Sequence, residues 1–287
     1  MPQFADVELA RTWVKGHPQV TCIDLLLADQ SGIPRGKRIT VQELDGIHEH
    51  GLLLPASMFA LDVLGGTVQS TGLGFDEGDA DRVCLPVPGS LALVPWLGDH
   101  IAQMQVSMYG HDRTPFHGDP RHVLAGVVAR FESIGLTPAM AVELEFYLVD
   151  RDRTVEGLAQ PPLLPLSGRR ERHSQINSMQ QIEQYSKFLE AVQAAARTQQ
   201  LPTGTILAEC GPGQFEVNLH YVADALLACD HAVRLKRLVK GVALQHGLEA
   251  TFMAKPYREH AGSGTHVHVS LLDRQGHNVF ADEDPAG

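Results

Sequence analysis

Basic residues are in short supply in this chain. Its 23 Lys and Arg stand against 34 Asp and Glu, for a formal net charge of -11. A nucleic-acid footprint needs a basic face, so nucleic acid is not an expected partner. Anionic small molecules stay admissible, because local arginines or metal ions can reverse the field inside a cleft. Cysteine is also scarce. Cys22, Cys84, Cys210 and Cys229 are scattered, without a CxxC pair or a short framework spacing. That argues against disulfides or a cysteine zinc site and for reduced thiols in a cytoplasm. No stretch approaches the roughly 20 apolar residues of a membrane span. The N-terminal MPQFADVELARTWVKGHPQV has no basic stretch followed by an apolar run, so no signal peptide is expected. Internal repeats and low-complexity tracts are absent as well. What is present is an ordinary globular composition, with a hydrophobic fraction of 44% and a mean hydropathy of -0.09 over 287 residues. That suits a soluble cytoplasmic protein with one large domain or two unequal ones.

The first part reads as a helix followed by a strand-rich module. Val7, Ala10, Trp13 and Val14 recur at helical spacing, and the pattern stops near Gly16 and Pro18. Residues 20–29 read as a strand, which Gln30 to Pro34 turn back into Arg38 to Val41. Further short strands are expected near 59–70 and 83–95, and the polar, turn-rich 110–119 is the best linker candidate. The expected division is therefore 1–112 and 113–287. Beyond the linker, Asp119-Pro120 is a helix start and Gly135 its end, with Val123, Leu124, Val127, Val128, Phe131 and Ile134 on one face. Residues 150–176 are rich in Pro and Arg and predict a long surface loop. Helices follow over about 178–199 and 223–246. Their apolar stripes (Ile182, Tyr185, Phe188, Leu189, Val192; Leu226, Val233, Leu238, Val242) read as core.

Three segments carry chemistry. In AVELEFYLV, strand alternation puts Glu143, Glu145 and Tyr147 opposite Val142, Leu144, Phe146 and Leu148. In QFEVNLHY, Gln214, Glu216, Asn218 and His220 oppose Phe215, Val217, Leu219 and Tyr221. In THVHVSL, His266, His268 and Ser270 oppose Val267, Val269 and Leu271. An antiparallel sheet with one wet face shows the same alternation. The polar residues here, however, are Glu and His rather than the usual Thr, Lys and Arg mixture. Carboxylates at i and i+2 lie about 7 Å apart, a separation that costs energy unless a cation offsets the repulsion. Gly211-Pro212-Gly213 stands between Glu209 and Glu216 and can form a turn that brings their carboxylates into one site. Several carboxylates with one imidazole suit Mg²⁺ or Mn²⁺ better than zinc. More than three carboxylates suggest two ions, the arrangement of phosphoryl-transfer and hydrolytic enzymes.

At these residues the chain resembles the glutamine synthetase family, within it most nearly the branch that joins glutamate to polyamines such as putrescine. The segments that carry the resemblance are DQSGIPRGKRI, MFALDVLGGT, AVELEFYLVD, AECGPGQFEVNLH, TFMAKP and EHAGSGTHVHVSL. The resemblance implies an α+β architecture, in which an N-terminal β-grasp domain precedes a catalytic α/β domain with an antiparallel sheet funnel. It implies stacked rings of identical subunits with active sites between neighbours. It matches Glu145, Glu209 and Glu216 to the ligands of a first ion, and Glu143 and His266 to ligands of a second. His268 and Ser270 match positions near the nucleotide, and Gly262 matches one near the glutamate backbone. Lys255-Pro256 falls in the same signature without an assigned role. The implied reaction transfers the γ-phosphoryl group of ATP to the glutamate side chain, after which an amine attacks γ-glutamyl phosphate and expels phosphate.

Three departures bear on this expectation. Pro55-Ala56-Ser57 stands where the ammonia-using branch has Asp-Gly-Ser, and Ala261 where it has Asn. Both favour a polyamine or other organic amine over ammonia. Family members also continue past the position of VFADEDPAG, where this sequence stops. A truncated chain with weaker metal binding is the expectation from that difference, and a non-catalytic relative is the alternative to a ligase. A metal-dependent hydrolase is a third reading.

Overall fold

The computed structural model describes residues 5–74, 78–173 and 175–282. Residues 283–287 and Ser174, which belong to the expected chain end and the expected 150–176 loop, lie outside the described residues. The chain divides into two compact units, residues 1–129 and 130–287.

The first unit begins with α1 (Val7–Gly16), capped by the Asp6 carboxylate, which accepts from the Glu8 N–H, with Lys15 in the last turn. A hairpin follows, β1 (Cys22–Ala28) and β2 (Pro34–Thr40). The buried Asp29 shapes its turn by accepting from the backbone N–H groups of Ser31 and Ile33 and from Arg35. After α2 (Leu44–His50) come β3 (Leu52–Pro55), β4 (Asp81–Pro86), β5 (Ala92–Leu93) and β6 (Ile101–Tyr109). The sheet order is β2-β1-β6-β4-β3, with β5 also on β6 and the β1–β6 pair parallel. Every residue of the central β6 is buried, although Gln103, Gln105 and Ser107 are polar. Ile23, Leu25, Leu27, Leu54, Met104 and Met108 fill the core.

The strand expected near 59–70 does not form. Residues 56–60 make a 3₁₀ turn, and the Asp62 carboxylate then accepts from the Leu64 and Gly66 N–H groups. Those bonds commit the backbone to a tight turn, leaving a single bridge between Leu61 and Thr67. The polar 110–119 segment is a turn-rich connection that closes on β6, where Asp119 accepts from the Met108 N–H.

The division between the units falls within α3 (Pro120–Ser133), none of whose residues is buried. The second unit is built around one long strand, β7 (Thr137–Asp150). It continues through α4 (Met179–Gln184), α5 (Ser186–Thr198), β8 (Thr203–Ala208), β9 (Gln214–Leu219), α6 (Ala225–Gln245), β10 (Leu248–Thr251) and β11 (Thr265–Leu272). All pairings are antiparallel: β9 lies along one edge of β7 with β8 beyond it, and β10 and β11 lie along the other. The apolar back of β7 and β9 is the core face, with Phe146, Leu148, Phe215 and Val217 fully buried. Phe188 of α5 meets Phe146 edge to face, and Leu235, Leu238 and Val242 of α6 are buried with it. Fully burying such a side chain contributes roughly 1.5–3 kcal/mol.

Two local expectations need correction. The single helix over 178–199 is two helices that meet at the buried Tyr185, and Ile182 is half-buried. The apolar back of the third strand is open: Val267 and Val269 are about half exposed, and Tyr221, beyond the end of β9, is exposed too.

Candidate metal centre

Strand register does most of the assembly. On β7, Glu143 lies directly across from Asn218 of β9 on one side and from His266 of β11 on the other. Two residues on, Glu145 lies directly across from Glu216. The pleat turns all of these side chains to the same face. The fourth carboxylate, Glu209, comes from the turn between β8 and β9. Its backbone N–H donates to the Gln214 carbonyl at 2.9 Å. The Gly-Pro-Gly sequence is needed for that turn: Gly213 has φ +72°, and a Cβ on Gly211 would collide with the Tyr147 hydroxyl.

Two groups result. Ligand-capable atoms of Glu143, Glu216 and His266 lie within 4.8 Å of one another, as do those of Glu145, Glu209 and Glu216. Glu216, only 6% exposed, belongs to both. An octahedral Mg²⁺ shell with ~2.1 Å bonds sets adjacent donors about 3 Å apart and opposite ones about 4.2 Å apart, so donors gathered within 4.8 Å are near enough to be drawn in around one ion. The donor set, carboxylates with one imidazole, fits a hard divalent cation.

The electrostatics agree. Burial and the neighbouring Glu143, Glu209 and Glu145 push the Glu216 carboxyl above its ordinary value. Burial and Glu145 do the same to Glu209. The Tyr147 hydroxyl, buried beneath them, is pushed up to about 12. Like-charged groups crowded at low exposure resist ionising together, and a bound cation reverses that penalty.

The polar neighbours are amides and imidazoles. Asn218 donates to Glu143 Oε1 at 3.2 Å, and Gln214 donates to Glu145 Oε2 at 3.1 Å. His266 Nδ1 lies 3.2 Å from Glu143 Oε2 and 3.9 Å from Glu216 Oε2. His268 Nε2 lies 3.2 Å from that same Glu143 oxygen, which places His268 beside the carboxylate cluster. Ser270 is four residues past His266, about 14 Å along the strand at ~3.4 Å per residue. Its hydroxyl is 3.5 Å from Asn278 Nδ2. Gly262 sits on the segment before β11, and its carbonyl accepts from Gln214 at 2.9 Å. Glu143, Glu145, Glu209, Glu216 and His266 are thus brought together; Ser270 is not among them. Alternation had already put Gln214 and Asn218 on this face, but nothing in the sequence showed which carboxylate each one holds.

Residues 117–287 match the family described as glutamine synthetase, catalytic domain. The chain belongs to the glutamine synthetase family. Among curated relatives, gamma-glutamylputrescine synthetase PuuA of Escherichia coli K12 is 43% identical over 274 residues, covering 96% of this chain and 58% of that protein. Glutamate–isopropylamine ligase of a Pseudomonas species is 31% identical over 280 residues, covering 96% of this chain and 60% of its own length. Glutamine synthetase of Pyrococcus horikoshii is 28% identical over 267 residues, covering 93% and 54%. A solved structure described as a GmaS/ADP complex superposes with a TM-score of 0.80 at 24% identity, over 96% of this chain and 58% of that one. At that identity the likeness establishes the glutamine synthetase fold. The chain spans between 54% and 60% of the length of these relatives. No helix among the described residues is long and apolar enough to cross a membrane.

Proposed function

We propose that this chain carries the metal-binding half of an ATP-dependent ligase that joins glutamate to an amine, putrescine or another polyamine, through γ-glutamyl phosphate. The observation that carries the reading is the pair of carboxylate groups sharing Glu216. Glu145, Glu209 and Glu216 would hold one Mg²⁺ or Mn²⁺ ion, and Glu143 and His266, with Glu216 between, a second. Bound divalent cations supply charge neutralisation for the oxygens of a transferring phosphoryl group.

The chain's own residues prepare the site. Asn218 and Gln214 each occupy one oxygen of a carboxylate and so fix which oxygen remains for coordination. His268 beside Glu143 and Ser270 farther along β11 mark the direction in which ATP would extend, and Gly262 marks the glutamate end. Similarity to an enzyme named for putrescine and to one named for isopropylamine supports an organic amine, as does Ala261. The six-stranded mixed sheet of the first unit fits a β-grasp module, with the boundary to the catalytic domain near residues 112–113. The antiparallel sheet of the second fits one wall of a funnel. Assembly into stacked rings of identical subunits belongs to the same reading.

Phosphate release from ATP, Mg²⁺ and glutamate tests the proposal, with putrescine, isopropylamine and ammonium compared as acceptors. Release that depends on putrescine is expected. Release that requires ammonium alone would convert the reading to a glutamine synthetase, and hydrolysis of a substrate without ATP would replace it with a hydrolase.

A further inference from the structure

Gln214 is fully buried at the first position of β9, and its carboxamide is engaged at both ends. Oε1 accepts from the Gly211 N–H at 2.9 Å. Nε2 donates to Glu145 Oε2 at 3.1 Å and to the Gly262 carbonyl at 2.9 Å. One side chain therefore ties together β7, the Gly-Pro-Gly turn and the segment before β11. The neighbouring Tyr147 hydroxyl donates to the Ala261 carbonyl at 2.8 Å, so consecutive carbonyls of that segment are held from below. The Ser263 N–H then closes onto the Ala254 carbonyl at 2.9 Å.

We propose that Gln214 is a positioning residue that orients the Glu145 carboxylate for its ion and couples it to the Gly262 segment, an inference resting on the metal-site reading above. The chemistry favours an amide at this point. A primary amide has two N–H donors and one acceptor carbonyl, and this position offers two acceptors and one donor. A lysine would bring a positive charge that competes with the cation. A carboxylate would repel Glu145 and leave the Gly262 carbonyl without its donor. A neutral, buried donor leaves Glu145 negative and fixes one of its oxygens.

Gln214→Met removes all three bonds at similar volume, and Gln214→Glu keeps the acceptor for Gly211 but loses both donors. Glu171→Leu is the control. It strips the same turn of the bond that the Gly213 N–H donates to Glu171 at 3.2 Å, without touching a proposed ligand. Mn²⁺ is titrated into each folded chain, with free ion followed by electron paramagnetic resonance and folding by circular dichroism. Both Gln214 variants should bind Mn²⁺ about 10–100-fold more weakly, the usual effect of losing a ligand's outer partner. Glu171→Leu should stay near the unsubstituted value. Amide exchange at Ser263 should quicken in Gln214→Met and not in Glu171→Leu. If Gln214→Met fails to fold, Gln214→Glu decides. Unchanged Mn²⁺ affinity in a folded Gln214 variant, or an equal loss in Glu171→Leu, would overturn the inference while leaving the metal site standing. Unchanged Ser263 exchange would overturn the coupling. No Mn²⁺ uptake by the unsubstituted chain would sink both readings together.

Discussion

Where an acidic residue lies directly across from a charged one, the two sheets differ. In the first unit, Asp24 of β1 lies directly across from Arg38 of β2, and the guanidinium binds both carboxylate oxygens, at 2.6 and 3.2 Å. Asp29 is likewise met by Arg35, and Asp45, on α2, by Nε and Nη2 of Arg11. In the second unit, the position directly across from Glu145 is another carboxylate, Glu216. Among the described residues, the partners of Glu143, Glu145 and Glu216 are amides and imidazoles, not arginine or lysine. Opposite charges facing across strands stabilise a sheet, and like charges in the same relation destabilise it. Asp24 is neutralised from within the chain; the cluster of Glu143, Glu145 and Glu216 is not, although elsewhere on the same sheet Asp150 meets Arg170 and Glu249 meets Arg153.

The sharpest way to break this contrast is Glu216→Ala, which removes the carboxylate common to both groups. Mn²⁺ binding measured by calorimetry should fall by more than ~100-fold, beyond what loss of an outer partner costs, with the first unit unaffected. Binding retained within tenfold would show that the groups do not act through Glu216. The converse change, Asp29→Ala, takes from the first unit the acceptor of two backbone N–H groups and the partner of Arg35. It should cost about 3 kcal/mol of stability in denaturant unfolding and leave Mn²⁺ affinity unchanged. Divalent metal itself should sharpen the contrast. At a hundred times its dissociation constant it adds about 2.7 kcal/mol to whatever unit binds it. Thermal unfolding followed with and without EDTA should show the transition of the second unit moving by several degrees. An equal shift in both units would argue against a site confined to the second.

The last effect concerns pH and is confined to acid conditions. His231 of α6 is buried, and burial followed by the nearby Arg234 holds its imidazole down to about 4. The unfolded chain takes up that proton first, near 6.5. Its contribution is therefore complete above pH 6.5 and is lost as pH falls toward 4. His231→Leu should flatten that part of the stability–pH curve, and an unaltered slope would place the titration elsewhere.

How much of this was legible follows from how each segment is buried. β7 and β9 have one apolar and one polar face, so alternation gave both the strands and the site residues on them. α5 and α6 betrayed themselves by helical stripes, of which Phe188, Leu189, Val192, Leu238 and Val242 are buried. β6 is covered on both faces, and a strand in that position loses the alternating pattern. Residues 59–70 have strand-like composition, but one aspartate's hydrogen bonds to the backbone redirected them. β11 shows the converse: its pattern predicts a buried apolar back, and Val267 and Val269 form one that stays about half exposed. The site residues on strands were readable because register follows period. The bonds of Gln214 were not, since they join segments nearly 70 positions apart, Glu145 to Gln214.

The position of Glu143, with a partner strand on each side, carries a consequence for how this gene can change. A strand repeats every two residues, so slipping either neighbour by one turns its whole ligand face to the core. Single-codon insertions or deletions inside β7, β9 or β11 should therefore be rejected far more often than point changes. The connections outside that register, such as residues 151–177, are where length can drift. The chemistry of this site is written in spacing as much as in residue type, and reading frame within three short strands is what it can least afford to lose.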